Sequence, residues 1–385
     1  MSRQKYRMNN VTINIKHWFA KAFNTSILQK SRMPWVDYLR GIAILLVVYR
    51  HALIGIERSG IIIPQYLMTA NMIFYSFRMP LFFIVSGLFI GGTLAKKNLK
   101  QIAFIKFENL LYPYFIWAFI QITLQIILVK FVNSDRGLKD YTYLFYQPRA
   151  LDQFWYLPAL FNATMIYVLI KTKLRPQPWM QIVLGLILYF VSPLITDISM
   201  LSDWMEFYLF FAIGDIGATF FFKDSVQRFF KSPLTLLALI PVFTATQLFY
   251  LTQPEEYYRN NLLGQTEFLA IAFIGCLSMF VLAFRFQAWK TAPFLRIIGF
   301  HSLYIYVIHV LVIAFFRVLL TKLIGIYNPF VLLICDIAFG VSIPVMFYNL
   351  VVKDNIGWFL FSLRKPGTTR PPSSEKLKVV HSKVE

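Results

Sequence analysis

The 385-residue chain has two cysteines, Cys276 and Cys335, and both fall inside long apolar runs. Two thiols so placed exclude a disulfide framework or a cysteine-built metal cluster and leave packing as their role. Charge is scarce as well. Asp, Glu, Lys and Arg make up 15% of the residues against 58% hydrophobic, with a mean hydropathy of +0.59. A soluble domain carries about 25% charged residues, so this balance excludes an ordinary soluble fold. The first 35 residues are basic and lack the apolar core and small-residue cleavage site of a signal peptide. There is no self-similar period and no insertion of soluble-domain size, which points to a single membrane domain.

What is present is a series of ten apolar runs, at about 38–57, 68–94, 107–131, 154–170, 179–197, 204–222, 233–252, 262–284, 295–319 and 329–352. Each is long enough to cross roughly 30 Å of hydrocarbon as a helix. The expected fold is all-α, a polytopic bundle of about ten transmembrane helices, with the second and third tilted or broken at Pro80 and Pro113. Acidic residues number 18 against 38 Lys and Arg, a net charge of +20. This excess suits a membrane protein better than a nucleic-acid binder, because basic and nearly neutral loops alternate. Lys96, Lys97, Lys100 and Lys106 form one cluster, followed by Lys171, Lys173 and Arg175, then Lys223, Arg228 and Lys231, then Arg285, Lys290 and Arg296. The bias places both termini in the cytoplasm of a multi-pass protein of the inner or plasma membrane.

Three segments follow: residues 1–34 as a basic cytoplasmic stretch, 35–355 as the transmembrane domain, and 356–385 as a basic, disordered tail. Within the first, Val11 to Phe23 mixes apolar and basic residues and suits either the inner membrane surface or solvent. The longest outer connection, about 132–153, holds Asp135, Arg136, Asp140, Tyr141, Tyr143, Tyr146, Arg149 and Asp152. Connections of this length usually have a role, and its aromatic and charged residues suit contact with sugars or anchoring at the interface.

The first run carries two ionisable groups where a bilayer buries them, Arg40 and His51. Such residues are costly in hydrocarbon and mark function by default. Eleven helical steps of roughly 100° bring His51 back to within about 20° of Arg40, roughly 16 Å further along the axis. Asp37 lies beside Arg40 on the same face and is its expected ion-pair partner. Neutral imidazole, with an unperturbed pKa of about 6.5, suits a general base acting on a hydroxyl. A structural histidine bonded to a neighbouring helix is the competing role. Arg78, beside Pro80, needs a partner or a water-filled cavity.

At this point the residues resemble a family. Trp35-Val-Asp-Tyr-Leu-Arg40, followed by ten residues and then His51, is similar to the opening of the acyltransferase 3 family of integral membrane acyltransferases. Four further segments follow in family order: Phe77-Arg-Met-Pro-Leu-Phe-Phe-Ile-Val-Ser-Gly87, Lys106-Phe-Glu-Asn-Leu-Leu-Tyr-Pro113-Tyr-Phe-Ile-Trp117, Phe154-Trp-Tyr-Leu-Pro-Ala-Leu160 and Ile298-Gly-Phe-His-Ser-Leu-Tyr304-Ile-Tyr306-Val-Ile-His309. The resemblance implies transfer of an acyl group, usually acetyl from acetyl-CoA, to a hydroxyl of an envelope carbohydrate or lipid-linked sugar. It makes His51 the catalytic histidine, with Arg40 as its partner and Asp37 beside it. Two departures stand out. Position 78, often His in related sugar acetyltransferases, is Arg, and the expected basic run at the start of the third span reads Lys106, Phe107, Glu108 and Asn109.

The remaining expected substrate contacts are Ser86, Trp155, Tyr304, Tyr306 and His309, with Arg78. Ser86 donates a hydrogen bond or lets helices approach beside Gly87. Trp155 stacks on a ligand or anchors at the interface. Tyr304, Tyr306 and His309 line an acceptor path or knit helices together. Acyl-CoA is expected as a donor substrate, with no permanently bound cofactor. No metal site is expected, because His51, His301 and His309 lack the close carboxylate or cysteine spacing that zinc needs. The partners are acyl-CoA, the sugar acceptor and the bilayer; the oligomeric state has no sequence signature. A transporter or flippase of a sugar-lipid also needs intramembrane Arg and His, but the paired halves common in transporters are not visible.

Overall fold

The computed structural model describes residues 18–30, 33–129, 136–353 and 355–364. The described residues form helices and connecting turns, with no β-strand among them. Among the described residues, nine helices are long and apolar enough to cross a membrane: α1 (Pro34–Arg58), α2 (Gln65–Leu94), α3 (Leu99–Ile127), α5 (Pro178–Ile195), α6 (Ser199–Phe221), α8 (Pro233–Tyr250), α9 (Leu262–Trp289), α11 (Ser302–Leu323) and α12 (Pro329–Val352). Between them lie α4 (Tyr156–Lys173), α7 (Asp224–Lys231) and α10 (Phe294–Phe300). The chain is thus a multi-pass membrane helix bundle. The fourth expected run, 154–170, coincides with α4, which is diluted by Asn162, Thr164, Lys171, Thr172 and Lys173 and buries Leu157, Ala163, Tyr167 and Val168 in the bundle.

The proline expectation is only partly met. Pro80 lies inside an unbroken helical stretch, Tyr75–Leu88, and the interruptions of α2 fall at Phe74 and Phe89 instead. Pro80 still removes one bond, the one its missing N–H cannot give to the Ser76 carbonyl. In α3 a π turn, Phe107–Leu111, immediately precedes the helix that carries Pro113 in its first turn. A widened turn there accommodates a residue that cannot donate.

Two crossings set the bundle. Helices α2 and α6 touch backbone to backbone: a Cβ on Gly87 would lie 2.1 Å from the Phe211 carbonyl oxygen, and one on Gly214 would lie 2.2 Å from that of Ile84. At the other crossing a Cβ on Gly299 of α10 would lie 1.8 Å from the Asp37 carbonyl oxygen of α1. Only glycine permits such contact, and close backbone approach is what drives helix association where lipid offers no hydrophobic gain. Together these crossings clamp α1 between α2, α9, α10, α11 and α12.

Part of the segment expected at the membrane surface, residues 11–17, and the tail from residue 365 lie outside the described residues, as does Asp135. The described part, from Trp18 to Phe23, is helical; Ala22 is buried, and its carbonyl accepts from Asn349 Nδ2 at 3.0 Å. Trp18 and Phe19 remain exposed.

Candidate active site

Helix α1 runs unbroken from Pro34 to Arg58, so Arg40 and His51 do share one helix. They open onto different surroundings. His51 lines a cavity of about 230 Å³ with Arg50, Ser76, Arg78, Arg149, Asp152, Gln153, Trp155, Glu206, Phe207 and Tyr306 among its walls. Five parts of the chain converge there: α1, α2, the turn before α4, and α6 and α11, with Phe268 of α9 closing one side.

The His51 ring makes no hydrogen bond to any described residue. Its neighbour is His309, whose ring meets it edge to face with 5.1 Å between centroids. His309 Nδ1 lies 2.9 Å from the carbonyl oxygens of both Ile305 and Tyr306. Both are acceptors, so Nδ1 carries the proton and donates, which leaves Nε2 with a bare lone pair. That buried atom has no partner among the described residues, and the same holds for Ser76 Oγ and Gln153 Oε1 on the cavity wall. Buried polar atoms rarely go unpaired, so their clustering around one histidine marks a place where a polar ligand completes the bonding.

The wall opposite His51 is tied together by charge. Arg149 pairs with buried Asp203 and with Glu206, the latter at 2.9 Å, and its guanidinium lies 4.4 Å above the Trp155 ring. Burial works against the Arg149 charge, and the two carboxylates more than offset it, holding the group above its ordinary pKa. Asp152 takes Arg58 at 2.9 Å and Arg136 at 3.5 Å. Its φ of +57° is a conformation that residues other than glycine seldom adopt, and such strain is held in place by surrounding contacts, here two ion pairs. Arg78 is buried, with Nη1 donating to the Leu46 carbonyl at 3.0 Å and to Asn71 Oδ1 at 3.2 Å.

Arg40 is not on the cavity wall. It lies within electrostatic range of Lys106 and Tyr156, and Ser86 meets the Tyr156 hydroxyl from the same side. Tyr156 in turn packs edge-on against Tyr306, 5.4 Å between centroids, so a polar path runs from Arg40 through Tyr156 and Tyr306 to the cavity. The ion pair expected between Asp37 and Arg40 is not among the salt bridges of the described residues. Asp37 is buried, and its turn of α1 is pressed against α10 at Gly299. Glu108, in the π turn of α3, is engaged by the Ser362 hydroxyl at 3.1 Å.

Of the expected contacts, Arg78, Trp155 and Tyr306 therefore reach the cavity, His309 stands behind His51, and Ser86 lies on the path from Arg40. Tyr304 does not join them. It stacks on Tyr348 at 3.5 Å and meets Phe361 edge-on, knitting α11 to the end of the described chain. Arg50, Asp203 and Glu206 were not among the expected site residues, whereas Arg149 and Asp152 belong to the outer connection expected to suit sugar contact. An Arg directly beside the histidine was the available signal for Arg50. Asp203 and Glu206 become visible only through their partner, Arg149.

Among the described residues no group of three or more His, Cys, Asp or Glu is placed to hold a metal. No curated protein and no solved structure matches the chain. A family model does, described as an acyltransferase domain of the acyltransferase 3 type, over residues 33–349. That region takes in α1, the cavity and nearly all of α12, and by it the chain belongs to the acyltransferase 3 family of membrane-embedded acyltransferases.

Proposed function

We propose that this acyltransferase uses acyl-CoA, with acetyl as the expected acyl group, and transfers it to a hydroxyl of an envelope carbohydrate or lipid-linked sugar, with His51 as general base. The observation that carries the reading is the His51 ring, free of hydrogen bonds to described residues and facing a cavity whose walls hold unpartnered polar atoms. In the transfer, His51 takes the proton of the acceptor hydroxyl as its oxygen attacks the thioester carbonyl. The new C–O bond forms, the C–S bond breaks, and the thiolate of CoA leaves and recovers the proton from the imidazolium. The bare Nε2 of His309 is a ready acceptor for a His51 N–H, which would keep the other His51 nitrogen deprotonated toward the acceptor.

The loop charges support an inner position for Arg40 and Lys106, two cations that no described carboxylate pairs, at the end of α1 where a phosphate-bearing cytoplasmic donor would arrive. The same orientation puts both termini inside and the His51 cavity toward the outer face. Trp155 and Phe207, 5.6 Å apart, offer an aromatic surface suited to a sugar ring. The deciding experiment gives labelled acetyl-CoA and extracted envelope glycans to the protein purified in lipid, beside His51→Ala. Label transfer lost in the variant supports the reading. A folded wild type that transfers no label and binds no CoA would replace it with sugar-lipid transport.

A further inference from the structure

The reaction just described accounts for His51 and leaves two guanidiniums beside it without a task. Four arginines line the cavity, Arg50, Arg58, Arg78 and Arg149, against two carboxylates, Asp152 and Glu206. Both carboxylates are committed: Asp152 to Arg58 and Arg136, Glu206 to Arg149. The nearby Glu255 accepts from the Tyr75 hydroxyl at 3.1 Å. Arg50 forms no salt bridge and no hydrogen bond among the described residues, and Arg78 bonds only to neutral oxygens. The two flank one ring, with their Cζ atoms 5.4 Å and 6.0 Å from the Tyr75 centroid.

This arrangement is held by design of the backbone. The Leu46 carbonyl that receives Arg78 lies one helical turn before Arg50, so that bond fixes the Arg78 guanidinium against α1 at the level of Arg50. Ser76, fully buried and one turn from Pro80, adds a hydroxyl with no partner to the same wall. Arg78 is buried beside half-buried Arg50, so its charge has lost water and faces a like charge, a cost that a neutral sugar and a neutral acyl chain would leave standing. A carboxylate or phosphate would relieve it, and planar guanidiniums recognise those groups with paired hydrogen bonds.

We infer that the cavity takes a substrate bearing an anionic oxygen group close to the reacting centre, held by Arg50 and Arg78. The inference rests on the acyltransferase reading of this cavity and adds the substrate class. Two sources share the chemistry: an acidic acceptor, such as a uronic acid or sugar phosphate, and a dicarboxylic acyl group carried as its monothioester.

The test uses the full-length protein in lipid nanodiscs. Equilibrium binding without donor compares glucuronic acid, glucose 1-phosphate and monomethyl succinate with glucose. At least one anionic probe is expected to bind tenfold or more tighter than glucose, and Arg50→Gln with Arg78→Gln is expected to abolish the difference. Where the double variant does not fold, each single glutamine variant is read, and each is expected to reduce the preference at least threefold. Transfer assays then cross acetyl-CoA and succinyl-CoA with glucose and glucuronic acid. Preference for glucuronic acid with either donor assigns the anion to the acceptor; preference for succinyl-CoA with either acceptor assigns it to the acyl group. The inference is overturned if no anionic probe outbinds glucose, or if the preference persists without the arginine charges. Arginine-dependent anion binding with no transfer from either donor would keep the anion site and refute the acyl-transfer reading instead.

Discussion

Two sets of buried charges in this bundle look alike in the sequence and are opposite in the structure. Arg317 of α11 meets Asp336 of α12 at 3.1 Å, and Gly55 of α1 makes room for it: a Cβ there would lie 2.2 Å from Nη1. Asp215 of α6 likewise accepts from the Tyr167 hydroxyl at 2.6 Å and pairs with Lys171. Around His51 the described residues supply no such partner to the histidine or to Arg50, and give Arg78 only neutral ones. Groups partnered within the bundle hold it together, and the groups left without such partners are the ones to which the proposed mechanism assigns chemistry.

That distinction can be broken at either end. The largest effect is expected from His51→Ala, which should lower transfer by about 10²–10⁴-fold, the range for loss of a general base, with thermal unfolding in lipid unchanged or slightly later. An equal loss of activity and stability would erase the contrast. Asp336→Leu should do the reverse and destabilise by about 3–5 kcal/mol by leaving Arg317 buried and unpaired, while Asp336→Leu combined with Arg317→Met should return close to wild type with transfer retained. Chemical unfolding of the single and double variants checks this. Asp215→Ala should cost about 1–3 kcal/mol by stranding the Tyr167 hydroxyl, again without loss of turnover once folded. Arg40→Gln is expected to be mildest on the fold and to appear in kinetics as roughly a tenfold rise in KM for acyl-CoA with kcat kept, an effect of about 1.4 kcal/mol that added salt should shrink.

The sequence carried α1 well because helical periodicity alone relates Arg40 to His51, and no proline or glycine pair interrupts the run. Periodicity also explains one misplacement. Tyr304 and Tyr306 are two residues apart, about 200° around a helix, so both cannot face one cavity, whereas Tyr306 and His309 are about 60° apart and do approach it. The Asp37–Arg40 pair has the local spacing it needs but is not among the salt bridges of the described residues, and the Asp37 backbone carbonyl packs against Gly299 of α10. Arg50 sits about 100° off the polar stripe and gains its meaning from Tyr75 and Arg78 on another helix. The clasp of Arg149 on Asp203 and Glu206 joins residues more than fifty positions apart, which a single sequence does not disclose.

The unbroken course of α1 makes it a ruler. In the proposed mechanism Arg40 on the donor side and the His51 ring are marks on one rigid rod, so neither can be adjusted without moving the other. Adding one residue between them would swing His51 by about 100° away from its cavity, and adding four would return it to nearly the same bearing about 6 Å too far along. Measured transfer in such insertion variants should therefore vanish in both, since bearing and depth are read together. A separation of eleven residues is close to three complete turns, and in the proposed mechanism it sets how far the acyl group travels from the donor's phosphates to the acceptor's oxygen.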